Sequence, residues 1–441
     1  MCIRDSPNTV HGIFSSLVKH CLSRYLCERL GKTQQQACLE SFKNLPQVIQ
    51  APFDQLCELA FIGTKENRVT FSVSDLEGVK HSAMVCDMSL LQVTPSIISD
   101  GRLDYFNFLH LSIQELLTAV YITRMPVSKQ ISIFDSLFGD SRFSAVFQFY
   151  AAITKFHTLR PFLSKLPYWL RPVPAGMLDL VRKIIKNQRK VGYTSPRPLL
   201  VSLLHCLYEA QDLHLCQFVV EQLEDTLNLN NTSLTLVDCF AISYFISFVP
   251  FTTCRVKEFT VDLGSCSLRD AGVKSLMQSI CRNVGPHNTV KTHLIINLYS
   301  NEIHEEGVSH IAEVLNRTSI VSSLLLDGNL FGDKGLQTIV DSLKQNNTLK
   351  HLDVSNCGMT DTGVASLAEV LQTNDTLEAL DIGNHAVTEN GLTYLVEVLS
   401  KSSGLLTLWL PYHLRVKNKV ENTINEARKR SGLVAIKVHG K

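Results

Sequence analysis

The sequence predicts a mixed α and α/β fold, in which helical and small mixed units precede a parallel-sheet solenoid of strand-plus-helix repeats. Three observations predict it. Gly307, Gly335, Gly363 and Gly391 recur every 28 residues. Ahead of each glycine apolar residues alternate as in a half-buried strand, and behind it they take helical spacing. Upstream of about residue 255 this repeat gives way to mainly helical patterning. At 441 residues the chain is too long for one core, so roughly two to four domains are expected.

The repeat comes first because its period fixes the fold. Six residues before the glycines stand Asn301, Asn329, Cys357 and His385, at the point where the chain leaves the sheet. Three and five residues earlier come apolar pairs such as Leu326 with Leu324 and Ile382 with Leu380. Leu336, Ile339 and Leu343 follow Gly335 on one helix face, as do Val364, Leu367 and Leu371 after Gly363, and Leu392, Leu395 and Leu399 after Gly391. No single unit can bury such a face alone, so neighbours must stack. The pattern extends upstream through Val261, Leu263, Cys266, Leu268 and Gly272, with seven extra residues before the next repeat. Downstream it continues in Leu405, Leu408, Leu410 and His413, and Lys419 takes the glycine's place. Leu433, Ile436 and Val438 begin a last strand. The pattern resembles the ribonuclease-inhibitor class of leucine-rich repeats, which implies a horseshoe with a parallel sheet. His385 and His413 depart from the usual Asn or Cys, and the break at Lys419 implies a C-terminal cap over residues 417–441 within a repeat region of 255–441.

Before the repeats, Pro7 to Leu45 reads as helix, with Ile13, Leu17, Cys21 and Leu26 as its apolar face. Leu56, Leu59, Ala60, Phe61 and Ile62 read as a second helix. Val69, Phe71 and Val73 alternate like a strand, and Ser74-Asp75-Leu76 opens another helix. This combination suggests a winged-helix unit. Phe106 and Phe108 then form a short strand leading into Ser112-Ile113-Gln114-Glu115, an S-x-x-E capping box, which puts His110 on the loop at the helix start.

The stretch from Phe106 to Glu115 resembles the F-x-F-x-H-x-S-x-Q-E segment of NOD-like receptors. Leu59-Ala60-Phe61 with Phe71 and Asp75-Leu76 is similar to the winged-helix opening of that family. Pro7-Asn8-Thr9 leading to Phe14 and Leu17 is similar to the last helix of its first helical domain, and Asp238-Cys239-Phe240-Ala241 with Tyr244-Phe245 to the helix before its first repeat. The resemblance implies the end of a first helical domain over 7–44, a winged-helix domain over 45–111 and a second helical domain with a linker helix over 112–254. The implied fold is therefore winged-helix and helical domains followed by an α/β leucine-rich-repeat horseshoe. It also implies that His110 touches the β-phosphate of bound ADP in a full-length parent, where ADP or ATP with Mg would be the cofactor. Met1-Cys2-Ile3-Arg4-Asp5-Ser6 matches the translation of a transposon-end sequencing adaptor, so the natural protein is expected to continue upstream.

Chemistry is sparse. Gly31-Lys32-Thr33 lacks the earlier P-loop glycine, since Leu26 stands there, and a helix rather than a strand precedes it. The fragment is expected to be no enzyme and to hold no cofactor. Thirteen scattered cysteines without C-x-x-C or zinc-finger spacing read as reduced thiols, and the histidines show no metal spacing. A net charge of +1 argues against nucleic acid or an acidic membrane as partner. The longest apolar stretch, Cys239 to Phe251, is too short to span a bilayer, and no secretory signal is recognised, so a cytoplasmic protein is expected.

The binding candidates lie on the concave sheet face. Asp262, Asn297, Leu325, Asp353, Asp381 and Trp409 stand between apolar partners, with Tyr299, Asp327, Glu378 and Tyr412 nearby. An acidic stripe ending in aromatics suits a protein or microbial ligand with a basic surface. As a receptor fragment, the chain would also contact a missing NACHT nucleotide-binding core and help autoinhibit it in innate immune signalling, and the parent would oligomerise on activation. The alternative is a stand-alone binding protein resembling ribonuclease inhibitor.

Overall fold

A computed structural model describes residues 9–33, 39, 42, 45–77, 82–98, 101–137, 140–154, 181–182, 184–186, 197–251, 257–283, 290, 292–383, 386–411 and 416–440. The expectations for residues 1–6, Pro7, His385, Tyr412 and His413 lie outside the described residues. The chain divides into two units, residues 1–184 with 205–214 and residues 185–204 with 215–441.

In the first unit, α1 (Val10–Glu28) starts at Thr9, whose hydroxyl accepts from Gly12 N at 3.1 Å. The buried Glu209 carboxylate accepts from Val10 N and His11 N at 3.2 and 3.0 Å, placing a negative charge where the helix dipole favours one. Val18, Leu22, Tyr25 and Leu26 form the buried face. The expected face is thereby corrected, since Ile13 and Leu17 are exposed and only Leu26 of that set is in the core. Apolar residues occupy two sides of this helix, and periodicity alone cannot choose between them. Gly31, at φ +62°, ends the helix, and Lys32 N donates to Leu26 O at 3.0 Å.

There follow α2 (Gln47–Glu66), β1 (Thr70–Ser72), α3 (Val73–Glu77), α4 (Ser82–Asp87), β2 (Leu91–Ile98) and β3 (Gly101–Phe108). The strands form an antiparallel sheet in the order β1-β3-β2. Phe71 enters the core, but Val69 and Val73 are exposed and Val73 already belongs to α3, so the predicted alternation shrinks to a three-residue strand. Next come α5 (Leu111–Arg124), α6 (Val127–Leu137) and α7 (Ser144–Thr154). At Gly63, α2 lies so near the core that a Cβ would sit 2.5 Å from the Phe71 ring and 2.8 Å from Gln114 Nε2.

After α8 (Pro198–Ala210) and α9 (Leu213–Leu223), the repeats begin. Strands and helices alternate as β4 (Thr226–Asn228), α10 (Leu236–Ile246), β5 (Glu258–Asp262), α11 (Arg269–Asn283), β6 (His293–Asn297), α12 (Glu305–Arg317), β7 (Val321–Leu325) and α13 (Gly332–Leu343). They continue as β8 (His351–Asp353), α14 (Asp361–Leu371), β9 (Ala379–Asp381), α15 (Glu389–Leu399), β10 (Thr407–Leu410), α16 (Lys417–Arg430) and β11 (Lys437–Gly440). The eight strands form one sheet in sequential order, and every pairing is parallel. This is the leucine-rich-repeat horseshoe, with the predicted strand leucines and helix faces in its core: Leu324, Leu352, Leu380, Leu336, Ile339, Val364, Leu367, Leu392 and Leu395 are all buried.

The solenoid starts one repeat earlier than expected. The helix over Asp238 to Phe245 belongs to a unit whose strand is β4, with Leu227, Leu229 and Leu234 buried like their successors Val261, Leu263 and Leu268. The spacing of those leucines was a usable signal, but Thr232 stands where Cys266 and Asn301 stand later.

Three side-chain ladders tie the repeats together. In the turns, Asn329 Oδ1 accepts from Asn301 N and Ile303 N at 2.9 and 3.1 Å, while its Nδ2 donates to Leu298 O and Leu326 O. Asn301 does the same toward Cys266 N, Leu268 N and Leu263 O. Cys266 and Cys357 hold equivalent places by donating Sγ–H to backbone carbonyls, and burial pushes the Cys266 thiol up to about 12. At the helix starts, a carboxylate of one repeat caps the helix of the next: Asp270 takes His304 N and Gly307 N, Asp333 takes Thr360 N and Gly363 N, and Asp361 takes Thr388 N. The glycine column follows from this, because a Cβ at Gly307, Gly363 or Gly391 would collide with that carboxylate. Glu305 departs from the pattern and pairs with Lys334 instead, and α13 lacks a side-chain cap. At the helix ends, Asn346 and Asn374 donate to Leu315 O and Leu343 O, both at 2.8 Å. Arg428 takes this place at the C-terminal end. It is fully buried and donates to Leu399 O, Leu405 O and Val434 O, while Lys417 and Lys419 remain in solvent.

Candidate functional site

The sheet face is built by strand alternation. Residues flanked by buried leucines point away from the helices, and the register lines them up. Asp262 pairs with Asn297, Asn297 with Leu325, Leu325 with Asp353, Asp353 with Asp381, Asp381 with Trp409, and Trp409 with His439. The predicted residues therefore form one row across the sheet, one strand spacing apart. Tyr299 and Asp327 lie two residues beyond this row, and Tyr412 is outside the described residues.

Their availability differs from expectation. Asp262 is 1% exposed; Asn297 Nδ2, Asn230 Nδ2 and Gly264 N all donate to it. The Tyr299 hydroxyl donates to Asn230 Oδ1 at 3.0 Å, and its ring lies where a Gly264 Cβ would stand. The N-terminal end of the stripe is therefore an internal polar network in which Asp262 and Tyr299 brace the first repeats, and its acidity is corrected from an open contact surface to a satisfied one. Asp381 is 6% exposed and accepts from Gly383 N at 2.8 Å. Asp353 is half-buried and accepts from Ser355 N and its hydroxyl, and Asp327 is half-buried and accepts from Asn356 Nδ2. Glu378 pairs with Lys350 at 2.9 Å. Trp409 is half-buried and stacks on His439, with centroids 5.2 Å apart at 18°. No local pattern singles out His439, because only strand pairing brings it beside the indole.

In the first unit, the F-x-F-x-H-x-S-x-Q-E stretch resolves into separate structural tasks. Phe108 packs edge-on against Phe71 at 5.6 Å. Gln114 is buried, and its Nε2 donates to Arg68 O at 2.9 Å, joining α5 to the end of α2. His110, not Ser112, is the N-cap of α5: in extended backbone at φ −153°, its Nδ1 accepts from Ser112 N at 3.1 Å. The expected capping box gives way to a single cap two residues earlier, where an imidazole nitrogen serves as the acceptor usually supplied by Ser, Thr, Asp or Asn. Burial raises the Glu115 carboxyl above its ordinary range, partly offset by a hydrogen bond with Ser112 and the nearby His110. With Nδ1 accepting, the ring proton of a neutral imidazole sits on Nε2, which leaves an outward donor. Phe14 stacks on the ring at 5.1 Å.

The cap makes a prediction that separates two roles of His110. His110→Leu should lower the stability of this unit by about 1 kcal/mol, whereas His110→Asn should retain it because asparagine also caps. Chemical denaturation of the three proteins checks this. Equal losses in both variants would contradict the cap.

Gly31-Lys32-Thr33 follows and terminates a helix, the reverse of the strand-to-helix turn that cradles phosphates. No helix among the described residues is long and apolar enough to cross a membrane.

Comparison with known proteins agrees with the repeat and with the family resemblance. A family model described as Leucine Rich repeat matches residues 345–368. Protein NLRC5 of Mus musculus is 23% identical over 290 residues, covering 58% of this chain. The chain spans 14% of that relative's length. The matched share exceeds the stretch from Thr226 to Lys441, so the likeness reaches upstream of the repeats. Together these findings support a leucine-rich-repeat chain of NOD-like-receptor type.

Proposed function

We propose that this chain is the C-terminal part of a NOD-like innate immune receptor, with its repeat horseshoe binding a protein and helping to hold a nucleotide-binding core inactive. The likeness to NLRC5 beyond the repeats carries this reading, because a stand-alone repeat protein resembling ribonuclease inhibitor would not need it. The α2 helix with the β1-β3-β2 sheet is read as the winged-helix unit of such a receptor, and the protein as cytoplasmic. In the parent, ADP or ATP with Mg binds the upstream core, and the parent oligomerises on activation. His110 Nε2–H donates to an ADP phosphate while Nδ1 caps α5, so one imidazole both positions itself and binds.

The isolated chain is no enzyme and should bind neither ADP nor ATP. Isothermal titration checks this, and micromolar ATP binding abolished by Lys32→Ala would overturn it. The receptor reading is tested in the parent with its upstream sequence restored. There His110→Asn keeps the cap, but its shorter amide N–H cannot reach the place of the imidazole Nε2, so ADP should dissociate about 5- to 150-fold faster, the change given by roughly 1–3 kcal/mol of lost charge-assisted bonding. Signalling without ligand should accompany it. Normal ADP retention and silence in His110→Asn would remove His110 from the nucleotide site.

A further inference from the structure

We propose that Trp409 and His439, with Asp381 beside them, form a subsite for an arginine side chain of the protein partner; this rests on the protein-binding reading above. Trp409 and His439 are register partners on the last two strands, and their rings stack nearly parallel. His439 thus covers the indole on the β11 side. The opposite indole face looks toward β9, where Asp381 is the register partner of Trp409 and Asp353 stands one strand further. Among the described residues, His439 is the one ring paired with Trp409.

A half-buried indole about 4.8 Å, one strand spacing, from a carboxylate-bearing strand matches a guanidinium better than other groups. The flat cation stacks on the indole face while its edge N–H groups point toward Asp381, whose carboxylate is 6% exposed and also accepts from Gly383 N. An ammonium offers the charge without the plane. The charge on the face selects the same occupant. The outward positions at the strand ends and in the turns beyond carry Asp262, Asp327, Asp353 and Asp381, and Asp262, though buried, still contributes to the potential. Against them stands Lys437, at the far edge on β11. Arginine in a protein segment laid across the last three strands would extend the Trp409–His439 stack by one member.

The test selects short peptides displayed on phage against the whole chain and measures synthetic versions by fluorescence anisotropy. Binding is compared for wild type, Leu325→Arg, Trp409→Phe, Trp409→Ala and Asp381→Asn, each checked for a native circular dichroism spectrum. The selected peptides are expected to share an arginine whose replacement by citrulline weakens binding about tenfold or more. Trp409→Ala should weaken it similarly, and Trp409→Phe and Asp381→Asn by less. Peptides that bind equally with citrulline, or that ignore Trp409→Ala and Asp381→Asn, overturn the subsite. If such peptides are still lost on Leu325→Arg, the sheet face binds protein and only the arginine subsite falls. If no peptide is selected, or none depends on Leu325, Trp409 or Asp381, the protein-binding reading falls with it.

Discussion

Leu380→Ala is expected to destabilise the repeat unit by about 2–5 kcal/mol. Leu380 is fully buried on β9, between Leu352 and Leu408 in register. Removing its side chain forfeits the transfer of its methyl groups out of water and leaves a cavity in a core fixed on both sides by identical neighbours. The helices pack on the same residues, so the site has little freedom to collapse. Lys401→Ala is the control: Lys401 forms an exposed pair with Glu397 on the outer surface, and its loss should change stability by less than about 0.5 kcal/mol. Urea unfolding followed by circular dichroism checks both. Equal and small effects would mean that the strand register is wrong.

Asn329→Ala should cost about 3–5 kcal/mol, although only a short polar side chain is removed. The side chain is fully buried and serves four backbone groups: two N–H groups of the preceding turn and two carbonyls. Alanine leaves all four without that partner, and an unsatisfied buried polar group costs about 1–3 kcal/mol. Partial relaxation and water entry keep the total below the plain sum. Asn329→Cys should fall between wild type and alanine, because a thiol can donate to a carbonyl, as Cys357 does to Leu326 O, but cannot accept well from two amides. The order asparagine, cysteine, alanine in denaturant midpoint is the expected result. A cysteine variant as weak as alanine would contradict the ladder as described.

Both predictions rest on features legible in the sequence, and the reason is physical. Strand alternation and helical spacing are short-range, so Leu380 and Leu336 declare their faces locally. The turn asparagines are legible because the repeat aligns them. What depends on stacking was not legible. Asp270, Asp333 and Asp361 cap the helix of the following repeat, a contact about one repeat away in sequence and adjacent only once the solenoid forms. Each stands two residues before a glycine, so the aligned repeats did contain the signal. Of the site residues, the row across the sheet was readable from alternation, but Asp262 proved buried because Asn230, on the strand-turn segment that was missed, closes over it. His110 was found through the family resemblance. Its cap was not, because the S-x-x-E pattern two residues later fits the same rule equally well.

The stacked solenoid is the premise of the binding face, and hydrogen–deuterium exchange of the turn amides tests it most directly. Cys266, Leu268, Asn301 and Ile303 lie in turns outside the strands, yet their N–H groups donate to the buried oxygens of Asn301 and Asn329. These four amides are expected to exchange as slowly as those of the flanking strands, and Asn329→Ala to free Asn301 and Ile303 selectively. Turn amides that exchange at solvent rates while the strands stay protected would contradict the stacking on which the binding face depends.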